Sequence, residues 1–275
     1  MSRIKKALVK AQSASQGAPK GARRKDNTFK NKVDPSLDRI AYTSTKVEDI
    51  RFVELEKKGV ISHLSHDPRA QLFRTLRTQV IREMRDNGWK TLGITSPQQG
   101  EGKSLMASNL AVVLAMELNQ SVLLVDMDLQ NPTIHKQFML NPDVGLKHYL
   151  MGQCELQDLL VNPGIDRLVI CPGKGTLVKS SELLSGPKMD AFMEEAKHRY
   201  ESRIILCDLP AVLPTDDVLA AINHLDCVLL VVEDGRNSES DLAHTLQILK
   251  NTHVLGAVLN KVPLTTAQPE YRVAN

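Results

Sequence analysis

Apolar and polar positions fall into short blocks that alternate along most of this chain. A short apolar run opens at Thr91, and further runs follow at Ser121–Asp126, 167–171, Arg203–Asp208, 227–232 and 254–259. Continuous apolar runs of this length predict strands buried on both faces, as in the middle of a parallel sheet. Helical spacing appears between them, near 145–160, 188–199, 217–223 and 239–250. The alternation predicts an α/β fold, a doubly wound and mostly parallel sheet with helices on both faces. In such sheets ligands bind beyond the carboxyl ends of the strands.

Ahead of the first run, Asp67-Pro68 predicts a helix start, with Asp67 as cap and Pro68 in the first position. The helix runs to about Arg85 and stops at Asn87-Gly88, and Leu72, Phe73, Leu76, Val80 and Met84 form its apolar stripe. The stretch 40–62 is ambiguous, with a short strand expected near 41–45 and one helical turn. Residues 2–12 have the spacing of a short helix, with Ile4, Leu8 and Ala11 on one side. Such a helix is marginal in water. A frayed tail and a docking or membrane-surface helix both fit it. Residues 13–37, rich in Ser, Gly, Pro, Asn and Lys, read as a flexible linker. The expected division is a basic arm and linker over 1–37, one folded domain over 38–265 and a tail over 266–275.

Composition refines this picture. With 275 residues, 42% of them hydrophobic, the chain is long enough for one large α/β domain. The net charge is +3, yet ten lysines and arginines before residue 33 face Asp26 alone, which leaves −6 on the remainder. The basic character therefore belongs to the arm. Nucleic-acid binding is not expected, since the arm has only Phe29 among its cations and lacks stacking groups. Cys154, Cys171, Cys207 and Cys227 are far apart, and the last three lie in or beside apolar runs. They read as buried hydrophobes and fit a reducing cytoplasm. No long apolar run or signal-peptide pattern occurs.

The chemistry centres on Thr91-Leu-Gly-Ile-Thr-Ser-Pro-Gln-Gln-Gly-Glu-Gly-Lys-Ser104, a strand, a glycine-bearing loop and the start of an apolar helix. That layout presents backbone N–H groups and a helix N-terminus to a phosphate. Lys103 would reach the terminal phosphates and Ser104 the accompanying Mg²⁺. Two further strand ends carry acids. Asp208 ends Ile-Ile-Leu-Cys-Asp-Leu-Pro and suits a metal role through water, or a plain helix cap. Asp126 and Asp128 end Leu-Leu-Val-Asp-Met-Asp-Leu-Gln-Asn-Pro. One such acid can hold the metal while the other accepts a proton, and their mutual repulsion calls for a cation.

These three segments, in this order and spacing, resemble the Walker A, Walker A′ and Walker B motifs of bacterial tyrosine kinases of capsule and exopolysaccharide synthesis, within the P-loop NTPases. The resemblance spans roughly Leu72 to Lys261 and includes the segment from Leu72 to Thr78. It implies an ATP- and Mg²⁺-dependent protein-tyrosine kinase. Gln99, Gly100, Glu101, Gly102, Lys103, Ser104 and Leu105 would contact the nucleotide, with Asn260 at the purine or as a simple strand-end turn. Lys103, Asp126 and Asp128 would be catalytic, and Ser104, Asp126 and Asp208 would hold the metal. The resemblance also implies a membrane chain-length-determinant protein as activating partner. The chain is then expected in the cytoplasm, peripheral at the inner membrane through that partner.

Three departures stand out. Gln71 replaces the acid of a Glu-x-x-Arg-x-x-Arg pattern used in ring assembly, with Arg74 and Arg77 kept, so these three are the candidate contacts of a homo-oligomer. Gln130 stands where the family often has Arg, and Asp217 matches a recurrent acid of open role. The tail holds a single candidate phosphoacceptor, Tyr271, where the family has many tyrosines. A regulatory ATPase without kinase activity is the alternative. Partitioning ATPases are a further one, but they carry a signature lysine where this chain has Gln98.

Overall fold

The computed structural model describes residues 45–118, 120–178, 180–199 and 202–263. The strands are β1 (Lys46–Val47), β2 (Thr91–Thr95), β3 (Ser121–Asp126), β4 (Val161–Asn162), β5 (Leu168–Cys171), β6 (Arg203–Asp208), β7 (Cys227–Glu233) and β8 (His253–Asn260). They form one sheet in the order β1-β4-β5-β3-β6-β2-β7-β8. All neighbours are parallel except β4 and β5. The helices are α1 (Phe52–Lys57), α2 (Pro68–Asn87), α3 (Lys103–Ala115), α4 (Ile134–Gln137), α5 (Leu146–Leu150), α6 (Leu156–Leu159), α7 (Ser181–Leu184), α8 (Pro187–His198), α9 (Asp217–Ala221) and α10 (Glu239–Ile248).

The central strands are buried on both faces, as their continuous apolar runs predict. Alternate residues of one strand feed two separate cores. Val122 and Leu124 join α2 and α3 on one face. Leu123 and Val125 join α5, α8, α9 and α10 on the other. Helix α3 is apolar on most sides because it lies under other elements, and its residues from Met106 to Ala115 are all buried. Asn109 in its middle binds the 59–62 segment: Nδ2 donates to the Gly59 carbonyl, and Oδ1 accepts from the N–H groups of Ile61 and Ser62.

Asp67 does cap α2, its Oδ1 accepting from Arg69 N at 2.7 Å. The helix ends at Gly88, which takes the left-handed φ of 71°. Its stripe differs from expectation at one position. Leu72 is exposed, one step of about 100° away from Phe73, while Ile81 takes its place in the core. The single helix expected over 145–160 is two short ones, α5 and α6. Gly152, with φ 76°, ends the first of them. Strands β1 and β4 were not expected, since two residues carry no periodicity. The helix expected at 2–12 and the linker over 13–37 lie outside the described residues, as does the strand expected near 41–45 apart from Thr45. Among the described residues no helix is long and apolar enough to cross a membrane.

Candidate nucleotide site

The carboxyl ends of β2, β3 and β6 meet at one place. β6 lies between β2 and β3, and Asp126 and Asp208 are direct register partners at their strand ends. Met127 N donates to the Asp208 carbonyl, which keeps the two acidic ends side by side beyond the sheet.

Between β2 and α3 the chain turns through Gly100 (φ 82°) and Gly102 (φ 98°), conformations that other residues adopt only under strain. Gly102 is also the residue before the first turn of α3, and a Cβ on it would lie 2.2 Å from Asn260 Nδ2. The first N–H groups of α3 have no partner within the helix and face the space beyond its end. Asn260, at the end of β8, donates from Nδ2 to the Glu101 carbonyl at 2.8 Å. The loop thus has the shape that a phosphate group requires.

The lysine and the three acids of the site are almost completely buried: Lys103 6% exposed, Asp128 5%, Asp126 and Asp208 0%. Lys103 Nζ lies 2.7 Å from Asp128 Oδ2, 3.3 Å from Ser104 Oγ and 3.6 Å from Asp208 Oδ1. Asp128 Oδ1 accepts from Asn131 N. Asp126 is divided. Its Oδ2 accepts from the N–H groups of Thr133 and Ile134, both at 3.0 Å, and so caps α4. Its Oδ1 is buried without a hydrogen-bond partner, as are both carboxylate oxygens of Asp208.

Electrostatics follow from that burial. Burial and then the nearby Asp208 push the Asp126 carboxyl up, against the Ile134 N–H and Lys103. Burial also pushes Asp208 up, while Lys103 and Ser104 pull it back. For Lys103, burial works against the charge, but the attraction of Asp208 and Asp128 outweighs it and raises its pKa. One ammonium thus faces three carboxyl groups in a dry pocket, an arrangement completed by added positive charge. The free Oδ1 of Asp126 and the Asp208 carboxylate, whose Oδ1 has Lys103 at ion-pair distance and whose Oδ2 has no hydrogen-bond partner, lie near the Ser104 hydroxyl and fit a hydrated Mg²⁺, which binds through few protein groups and keeps water.

The remaining expected residues fall in two places. Gln130 and Asp217 meet: Gln130 Nε2 donates to Asp217 Oδ2 at 2.8 Å and to Thr215 Oγ1 at 3.0 Å. Ser180 Oγ also donates to Asp217 Oδ2. Gln71, Arg74 and Arg77 lie on α2. Arg74 binds Gln71 and the carbonyls of Leu64 and Ser65, and Arg77 pairs with Glu117 at 3.0 Å. Tyr271 lies outside the described residues.

Sequence reasoning missed a group around the phosphate loop: Glu233, Arg236 and Asn237. Lys261 Nζ donates to the Gly100 carbonyl and pairs with Glu233, which also takes Arg236. The only signal in the chain was an acid, Glu233, immediately after the 227–232 apolar run. It also missed Gly173, where a Cβ would fall 2.3 Å from Pro132 and 3.1 Å from the Asp126 carboxylate.

Comparison with known proteins adds to this geometry. A family model described as an AAA domain matches residues 89–255. The chain is similar to the tyrosine-protein kinase YwqD of Bacillus subtilis, with 31% identity over 193 residues, 70% of this chain and 80% of that one. It is similar to the succinoglycan biosynthesis transport protein ExoP of Rhizobium meliloti, with 29% identity over 201 residues, 71% of this chain and 25% of that one. Among solved structures, the kinase domain of the Escherichia coli tyrosine kinase ETK superposes with a TM-score of 0.69 at 26% identity, covering 88% of this chain and 91% of that one.

Proposed function

The chain belongs to the family of bacterial tyrosine kinases, with the fold of P-loop NTPases, and on that premise we propose that it transfers the γ-phosphoryl group of ATP to tyrosine hydroxyls. The observation that carries the reading is the buried constellation of Lys103, Asp126, Asp128 and Asp208 at the mouth of the phosphate loop.

Each residue has a role that follows from its position. The backbone of Gln99 to Leu105 cradles the phosphates, and Asn260 stands at the base end of the loop. Lys103 neutralises charge on the transferring group. Ser104 and Asp208, with the free oxygen of Asp126, would hold Mg²⁺. That ion, when bound, neutralises charge on the phosphate oxygens. Asp128 accepts the proton of the tyrosine hydroxyl once Lys103 has turned to the nucleotide. Catalysis is then mostly positioning and charge stabilisation.

The site is proposed to serve polysaccharide synthesis and export, in keeping with the name of ExoP. The chain spans a quarter of that relative. A separate membrane chain-length-determinant protein is proposed to activate it, holding it at the inner face of the membrane. Tyr271 is the proposed acceptor, on a second copy of the chain or replaced by a partner's tyrosine. Gln71, Arg74 and Arg77 are the proposed oligomer contact, although Arg74 and Arg77 are already engaged within one copy.

A regulatory ATPase is the second reading, favoured by the lone tyrosine after Pro263. Purified protein with Mg-ATP, blotted for phosphotyrosine with and without the membrane partner, separates the two. Label lost in Tyr271→Phe identifies the acceptor. ATP hydrolysis without label under either condition favours the switch.

A further inference from the structure

Glu101 sits in the phosphate loop yet is completely buried. Its carboxylate is directed at the end of β7. Oε1 accepts from Gln98 N at 2.9 Å, inside the loop itself. Oε2 accepts from Glu233 N at 2.9 Å and from Asn237 Nδ2 at 3.1 Å. Asn237 commits its amide to this contact even though its Oδ1 is left buried without a partner. The main chain of the same loop is fastened nearby, with Asn260 Nδ2 on the Glu101 carbonyl and Lys261 Nζ on the Gly100 carbonyl, both at 2.8 Å.

A glycine-bearing loop has wide conformational freedom, and freezing it on binding weakens affinity. A loop already fixed in the cradle shape avoids that loss. The Glu101 carboxylate bonds both to the loop's own backbone, at Gln98 N, and to the backbone of the strand end behind it, at Glu233 N. We propose that Glu101 is a positioning residue for the nucleotide. Without touching it, its carboxylate braces the phosphate loop against the end of β7, while Asn260 and Lys261 brace the loop's carbonyls from β8. The inference rests on the nucleotide reading of the site.

Glu101→Gln is the direct test, because the carboxamide keeps the shape and replaces one acceptor by a donor. However the amide is turned, an NH₂ faces the Gln98 N–H or the pair from Glu233 and Asn237. The variant is expected to bind Mg-ATP about tenfold more weakly, roughly the effect of one buried hydrogen bond turned to repulsion. The loss should appear in KM for ATP, with kcat at saturating ATP close to wild type. Asn237→Asp in the Glu101→Gln background restores a pair with donor and acceptor exchanged, and should recover part of the affinity. If Glu101→Gln fails to fold, Asn237→Ala is measured instead, with a loss of about threefold expected.

Wild-type affinity in Glu101→Gln, a lowered Tm with unchanged KM, or no recovery in the double variant would overturn the proposal. Failure of the wild-type protein to bind Mg-ATP would instead overturn the nucleotide reading itself.

Discussion

Lys103 Nζ lies 2.7 Å from Asp128 Oδ2, both side chains buried, so the lysine of the phosphate loop is held by an acid two residues beyond the end of β3. A phosphate entering the loop competes with Asp128 for that ammonium. Asp128→Asn keeps a polar partner and removes the competing charge. It should bind nucleotide without Mg²⁺ several-fold more tightly than wild type, while phosphoryl transfer falls by about 100-fold for want of a proton acceptor. Titration with nucleotide in the presence of a chelator, beside a turnover assay, checks both halves.

Gly102 cannot carry a side chain without strain, having φ 98° and Asn260 Nδ2 only 2.2 Å from its Cβ position. Gly102→Ala should lower stability by about 1–3 kcal/mol and weaken nucleotide binding. Asn260 can swing aside, so removing it in Gly102→Ala/Asn260→Ala relieves the contact but not the backbone strain. Denaturant unfolding of the two variants should therefore still show most of the loss.

His63 sets a pH dependence. Its ring packs 5.0 Å from Phe52, both ring nitrogens are buried without partners, and burial lowers its pKa against the opposing pull of Glu56. A histidine whose folded pKa is lowered binds its proton more readily when unfolded. Its contribution is therefore complete above the ordinary value of 6.5 and is lost as pH falls through it. Melting temperatures measured from pH 7.5 down to about 5 should decline less steeply in His63→Phe than in wild type.

Much of this was legible in the chain because burial on both faces leaves an unmistakable mark. The runs at Ser121–Asp126 and Arg203–Asp208 are strands in the middle of the sheet, and their terminal acids meet at the site. Asp67-Pro68 marked a helix start because the cap and the fixed proline φ act locally. What stayed hidden depends on distant contacts. Glu233 is 132 residues from Glu101, and Asn237 is 136, so no local pattern joins them to the loop. The double use of Asp126, with one oxygen capping α4 and the other left for the site, is likewise set only by packing.

Gln130 and Asp217 provide a test of a departure from the family pattern. Asp217 is buried, accepts from Gln130, and has no ion pair among the described residues. Gln130→Arg places a cation against that acid. It should raise stability by about 1 kcal/mol, because hydrogen bonds to charged partners are the stronger ones. Gln130→Ala should lower it by a similar amount, and thermal melts of the pair show the order.

The central claim is that this site moves a phosphoryl group from ATP to tyrosine. The most direct measurement is site mapping by tandem mass spectrometry after incubation with Mg-ATP, comparing wild type with Lys103→Met, each with the membrane partner present. The account predicts phosphotyrosine in the wild-type reaction, and a loss of about 100-fold or more in the variant, in which Asp128 and Asp208 lose their ammonium. Equal labelling in both, or none in either while ATP is still hydrolysed, would contradict it.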